Sequence, residues 1–215
     1  MTSSLNLPTD QEIERRTRYK RTYDLAILTI AHLFPPLTLL WLVLWTAVPL
    51  MIWLEDRGPI FYGQKRMGKG GKVFTVLKFR TMIPDAEKVT GPILAVENDP
   101  RITKVGRWLR ASALDELPQV LNILRGDMSF VGPRAERPEI HQRYLEREPL
   151  FAQRIRIRPG LTGVAQIKGS YDLPPEKKIQ FDLEYMRTMS PCVDSRLMLR
   201  SVLNTVLRRW DKKEY

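Results

Sequence analysis

Asp115 and Glu116 are adjacent carboxylates in the stretch LRASALDELPQVLNILRGDMSFVGPR, with Arg101, Arg107 and Arg110 before them and Arg125 and Arg134 after them. Two readings compete. Acidic residues at the start of a helix can serve only as a cap and as first-turn charge. Alternatively, they react in a pocket whose guanidinium groups hold phosphate oxygens. Arg101, Arg107, Arg110 and Arg134 supply more guanidinium than two carboxylates need, which favours phosphate chemistry. Lys78 and Arg80 in KFRTM alternate with Phe79, so they share one face of a strand and can join the cluster. With a single cysteine, Cys192, and only two histidines, His32 and His141, neither an intramolecular disulfide nor a Cys/His zinc cluster can be assembled. A metal at such a site is therefore a hard ion held by carboxylates and phosphate oxygens, magnesium or, as the alternative, manganese.

Local patterns define the secondary structure around these side chains. Leu117, Val120, Leu121 and Leu124 keep a helical rhythm, which predicts a helix opening at LDELP, with Pro118 in its first turn, Asp115 near the N-cap and Gly126 ending it. A carboxylate there sits beside unpaired N–H groups and the positive end of the macrodipole, which also attract phosphate. Upstream, RITKVGRWLRA predicts a short basic helix over 101–111 with Val105, Trp108 and Leu109 facing one way. Gly68, Gly70 and Gly71 followed by alternation at Val73, Thr75, Leu77 and Phe79 predict a β-hairpin; its turn lacks the spacing of a P-loop or a dinucleotide fingerprint. Residues 83–100, with Pro84, Gly91, Pro92 and Pro100, read as a loop, and RIRPGLTGVAQIKG as a turn-rich element between helices. The C-terminal stretch DSRLMLRSVLNTVLRRW is an amphipathic helix with Leu199, Val202, Leu203, Val206 and Trp210 on one face. It lies at a membrane interface or packs on the domain.

Composition sets the wider frame. The 215 residues carry 35 Lys+Arg against 24 Asp+Glu, a formal net charge of +11, so the expected partners are anionic: nucleic acid, a lipid surface or phosphorylated substrates. From Leu25 to Leu54 there is no formally charged side chain, which is enough apolar sequence for a membrane and begins too late for a cleaved signal peptide. Basic residues crowd both ends of this run, from Arg15 to Arg21 and from Arg57 to Lys72, so the positive-inside rule draws both ends to the cytoplasm. Pro35 and Pro36 interrupt the run. A helix-break-helix that dips into one leaflet and returns satisfies both features, with His32 or Thr29 as donors for the freed carbonyls. An ordinary kinked transmembrane helix is the alternative. Three segments are expected: a polar tail over 1–18, a membrane-associated re-entrant helix over 19–57 and a cytoplasmic catalytic domain over 58–215. The fold class is α+β, mainly helical, with a small hairpin and amphipathic interfacial helices.

From about Tyr19 to Trp210 the chain resembles the bacterial sugar transferases, the monotopic phosphoglycosyl transferases. The resemblance is carried by Lys20-Arg21 with Asp24, Pro36, QKRMG, KFRTM, DPRITKVGRWLR, LDELPQVLNILRGDMSFVGPR and RPGLTGVAQ. It is to the minimal form, without a multi-span N-terminal region. The resemblance implies transfer of a sugar-1-phosphate from a UDP-sugar to undecaprenyl phosphate with release of UMP, through a covalent aspartyl phosphosugar intermediate. It further implies Asp115 as nucleophile, Glu116 as catalytic partner and Mg2+ ligand, and Lys78, Arg80, Arg101, Arg110 and Arg134 on substrate phosphate. Pro133, Arg134 and Pro138 fall to the nucleotide, and Pro35-Pro36 to the membrane break. The implied partners are UDP-sugar, polyprenyl phosphate and membrane lipid, not nucleic acid, at the cytoplasmic face of a bacterial inner membrane. The family's Ser-Pro break is Pro35-Pro36 here, and Ala135, Val164 and Lys168-Gly169-Ser170 also depart from its pattern, which bears on nucleotide or sugar contacts. A non-catalytic basic adaptor for anionic lipid or phosphorylated partners is the competing class. It leaves the carboxylates within the arginine field unexplained.

Overall fold

The computed structural model describes residues 7–86, 99–169 and 173–207. The expected loop over 83–100 falls mostly outside that set, as do Ser170, Arg208 and Trp210. The chain forms two compact units interleaved in sequence, one built from Met1–Ala26, Gln64–Val76 and Asn122–Tyr215, the other from Ile27–Gly63 and Leu77–Leu121.

In the first unit, α1 (Asp10–Thr17) opens with a capping box in which the Thr9 side chain accepts from the Glu12 N–H and Glu12 accepts from the Thr9 N–H. Helices α8 (Pro175–Thr188) and α9 (Pro191–Val206) and a 3-10 segment, Pro149–Arg156, enclose a core of Phe151, Ile157, Ile179, Leu183, Met186 and Met189. Two three-residue strands, β3 (Ser129–Val131) and β4 (Gly160–Thr162), pair in parallel with Ser129 opposite Gly160. The crossover between them carries α6 (Pro138–Arg147) and the 3-10 segment. The RPGLTG element is thus a strand edge and not only a turn. Gly160 is required there, because a Cβ would lie 2.0 Å from the Gly132 backbone nitrogen. After β4 comes the short α7 (Val164–Lys168).

The LysArg and Asp near residue 20 serve this unit's interior. The Lys20 ammonium, buried, donates to Asp194 at 2.7 Å and to the Tyr185 hydroxyl at 2.6 Å. Arg21 donates to the Ile123 and Leu124 carbonyls, and Asp24 accepts from the Ser129 hydroxyl and the Phe130 N–H. On α9 the buried face is Asp194 and Leu197. Leu199, Val202, Leu203 and Val206 are all exposed, so the apolar stripe is not the face that packs inward.

The apolar run forms two helices, α2 (Lys20–Leu33) and α3 (Pro35–Asp56), broken at Phe34, whose extended ψ of 113° precedes the proline pair in the first turn of α3. Prolines at these positions lack only N–H groups that a helix start leaves unpaired. Thr38, rather than His32 or Thr29, supplies the hydroxyl for the freed His32 carbonyl, while the His32 ring bonds the Leu28 carbonyl at 2.6 Å and stacks on Trp41. Helix α3, 22 residues with an 18-residue stretch of mean hydropathy 2.1, is long and apolar enough to cross a membrane by length and composition.

The hairpin appears as β1 (Phe61–Met67) and β2 (Val73–Phe79), with Gly70 and Gly71 at φ 67° and 78° in the turn. In the second unit Val48, Ile52, Phe79 and Leu109 form a core, with Trp45 edge-on to Phe79. Helix α4 (Lys104–Ala111) is shorter than the sequence suggests, because Thr103 caps it by accepting the Gly106 N–H at 2.9 Å. Leu109 is fully buried and Val105 packs beside it, but Trp108 is 46% exposed, so the three apolar residues do not share one environment.

Candidate active site

Leu114–Glu116 is a single 3-10 turn entered through Ala113 in the left-handed region at φ 54°, and the α-helix that follows, α5, spans only Gln119–Arg125. The N-cap position expected for Asp115 is therefore corrected, as Asp115 lies one turn upstream of the helix. Pro118 is the cause. It has no N–H to give the Leu114 carbonyl, which accepts from the Leu117 N–H at 3.1 Å instead and closes a tighter turn. Gly126, at φ 88°, ends α5 as its sequence position suggests.

This turn places both carboxylates beside one ammonium. Lys78, near the end of β2, donates to Glu116 Oε1 at 2.6 Å and lies 3.8 Å from Asp115 Oδ2. The three side chains are 13 to 21% exposed, dry enough to strengthen charge interactions and open enough to be reached. Two carboxylate groups converging on one cation also suit a hard divalent ion, which commonly takes one or two carboxylates plus phosphate oxygens. Among the described residues no cluster of three or more metal-ligating side chains exists, so substrate and water oxygens would complete the shell.

The remaining expected residues divide between the units. Arg110, exposed on α4, donates its Nε–H to Thr81 Oγ1 at 2.9 Å. Arg101 is held by Asp99, with Nη2 at 2.6 Å from Oδ2. Arg80 is nearly buried, and its guanidinium makes a two-pronged pair with Asp56 at 2.5 and 2.6 Å. These three share the second unit with Lys78, Asp115 and Glu116.

Pro133, Arg134 and Pro138 belong to the first unit. There Pro133 and Arg134 line a cleft with Gly68, Glu136, His141 and Arg154, while Pro138 opens α6. Burial would raise the Glu136 carboxyl, but the cations of Arg154, Lys178 and Arg134 outweigh it and hold it below the usual carboxylate range. Arg154 also donates to Asp182, whose carboxyl burial pushes up against that pairing, and to the Arg134 carbonyl at 2.9 Å. Burial, with Arg154 beside it, pushes the His141 imidazole down.

Sequence reasoning passed over Glu55, Asp56 and Asp99, the acids that engage α4, Arg80 and Arg101. For the first two a signal was present: adjacent acids at the C-terminal end of an apolar helix stand where the macrodipole disfavours them.

A family model described as bacterial sugar transferase matches residues 15–208. Among curated relatives, the undecaprenyl-phosphate glucose phosphotransferase of Komagataeibacter xylinus is 37% identical, over 88% of this chain and 36% of its own. The UDP-glucose:undecaprenyl-phosphate glucose-1-phosphate transferase of Caulobacter vibrioides is 42% identical, over 85% of this chain and 68% of its own. The undecaprenyl-phosphate galactose phosphotransferase of Salmonella typhimurium is 34% identical, over 91% of this chain and 42% of its own. The chain thus spans well under half the length of two of these relatives and about two thirds of the third.

Proposed function

The chain belongs to the bacterial sugar transferase family, and on that premise we propose that it transfers a sugar-1-phosphate from a UDP-sugar to undecaprenyl phosphate, in the first membrane step of exopolysaccharide or glycoconjugate synthesis. The observation that carries the reading is the convergence of Asp115 and Glu116 on Lys78 in a partly open, cation-rich unit.

In this reading an Asp115 carboxylate oxygen attacks the sugar-bearing phosphorus, the bond from that phosphorus to the bridging oxygen breaks, and UMP leaves with the electron pair. The phosphosugar is then held on Asp115 as an acyl phosphate. An oxygen of the lipid phosphate attacks the same phosphorus and regenerates the carboxylate, so one transfer is split into two displacements. Lys78 offsets the repulsion between an anionic nucleophile and an anionic phosphate, and Arg110 takes phosphate oxygens. Arg101, oriented by Asp99, is a further candidate for phosphate oxygens. Glu116, with Asp115 beside it, would hold Mg2+, which neutralises phosphate charge when bound. In the first unit, Pro133, Arg134 and Pro138 are the candidates for phosphate and nucleotide binding that the family resemblance offers.

The apolar run suits a lipid acceptor, since the acceptor's phosphate lies in the headgroup layer while its hydrocarbon stays in the bilayer. The re-entrant form, with both flanks at the cytoplasmic face of an inner membrane, accommodates the Phe34 break and the basic flanks together. The exposed apolar stripe of α9, flanked by exposed Arg196 and Arg200, suits a membrane interface in its own right.

The test is UMP release by the full chain in lipid nanodiscs, with undecaprenyl phosphate and a panel of UDP-sugars. Asp115→Asn is expected to lower turnover at least ~10³-fold, as loss of a covalent nucleophile does. Equal release by wild type and variant would overturn the assignment.

A further inference from the structure

Glu55 and Asp56 end the apolar helix α3, at the pole where a macrodipole is unfavourable to carboxylates. Each is committed to another element of the second unit. Asp56 grips Arg80 with both oxygens, and the Gly58 N–H donates to Asp56 Oδ1 at 2.9 Å, so the turn after α3 folds around the guanidinium. A Cβ on Gly58 would come within 3.0 Å of Arg80 Nη2. Arg80 also donates to the Pro59 and Met82 carbonyls, which uses its fork almost fully. Glu55 accepts the Lys104 N–H at 2.7 Å and the Val105 N–H at 3.2 Å, capping α4 from outside that helix.

These contacts close a circuit around the end of β2. Helix α4 bears directly on Thr81: the Thr103 N–H donates to the Thr81 carbonyl at 3.1 Å, and Arg110 donates to its hydroxyl at 2.9 Å. Gly106 lies so close that a Cβ would be 2.1 Å from the Thr81 oxygen. Thr81 follows Arg80, and Arg80 lies two residues beyond Lys78, immediately past the end of β2. Lys78 is the group that holds Glu116 at 2.6 Å.

We infer that Glu55 and Asp56 form a clamp that seats the last turn of the apolar helix on the strand end carrying Lys78, making Asp56 and Arg80 positioning residues for the Lys78–Asp115–Glu116 cluster. Arg80 then acts through Lys78 and does not touch substrate phosphate, in place of the phosphate-binding role that the family resemblance implies for it. The inference rests on the proposed transfer for its catalytic consequence, but the clamp itself has a separate readout.

The experiment compares the full chain with Asp56→Asn, Arg80→Gln and the double variant in lipid nanodiscs. It measures kcat and KM for UDP-sugar, and the rate at which an amine-acylating reagent modifies Lys78, followed by mass spectrometry. Asp56→Asn is expected to lower kcat roughly 10- to 100-fold with KM nearly unchanged, the pattern of lost alignment. Lys78 should be acylated several-fold faster, about as it would be once its constraint is released. The double variant should be no worse than either single one, because the two residues act as one unit. Wild-type kcat and Lys78 reactivity in Asp56→Asn would overturn the clamp. So would a rise in KM at constant kcat in Arg80→Gln, which would put that guanidinium on the donor. If wild type releases no UMP with any sugar, the transfer reading fails, and Lys78 acylation still decides the clamp.

Discussion

Lys78 lies beside two neighbouring carboxylates and offsets their repulsion, which makes it the pivot of the proposed site. Lys78→Met should keep the stem's packing while removing the charge. UMP release is expected to fall about 100-fold, the scale of removing one electrostatic stabiliser. Within a factor of two of wild type, the shared-cation account is wrong. A second residue-level expectation concerns His141, buried and ring-packed 5.5 Å from Phe151. Its folded pKa lies below the ordinary 6.5, so below pH 6.5 the unfolded chain takes up the proton first and stability falls as pH drops toward the folded value. Thermal unfolding followed from pH 8 to 5.5 should show this decline in wild type and a smaller one in His141→Gln. At this scale the sequence nominates Asp115 and Glu116 because the arginines outnumber them, and the structure brings both beside Lys78. The pairing of Arg80 with Asp56 was not legible, since a count of charges does not say which are already spent on each other.

Elements were legible where the local code is strong. The glycine cluster with period-two alternation located the hairpin, and the proline pair located the helix break, because both act through the backbone itself. The start of α5 was misplaced since one missing N–H at Pro118 converts the first turn to 3-10 geometry. Strands β3 and β4, of three residues each, are too short for alternation to show, and a chain contact distant in sequence defines them. That contact is testable. Gly160→Ala would force a Cβ against the Gly132 backbone and is expected to cost about 1–3 kcal/mol in unfolding free energy. An unchanged unfolding midpoint would mean that β3 and β4 do not approach as described.

For the whole molecule, the basic charge and the apolar run pointed to a membrane-bound handler of phosphates, whereas two interleaved units could not be read from a chain whose pieces alternate between them. The proposed topology puts both flanks of the run on one side. In a Cys192→Ala background, Gln11→Cys and Lys65→Cys should react with an impermeant maleimide from the same face of sealed vesicles, and reaction from opposite faces would establish a spanning helix instead. The proposed chemistry is tested most directly by supplying UDP-sugar without lipid acceptor, quenching, and mapping the protein by mass spectrometry. A phosphosugar adduct on the peptide containing Asp115, absent from Asp115→Asn and discharged by undecaprenyl phosphate, is the expected result. UMP release that always requires the acceptor and leaves no adduct, or an adduct on another residue, would contradict it.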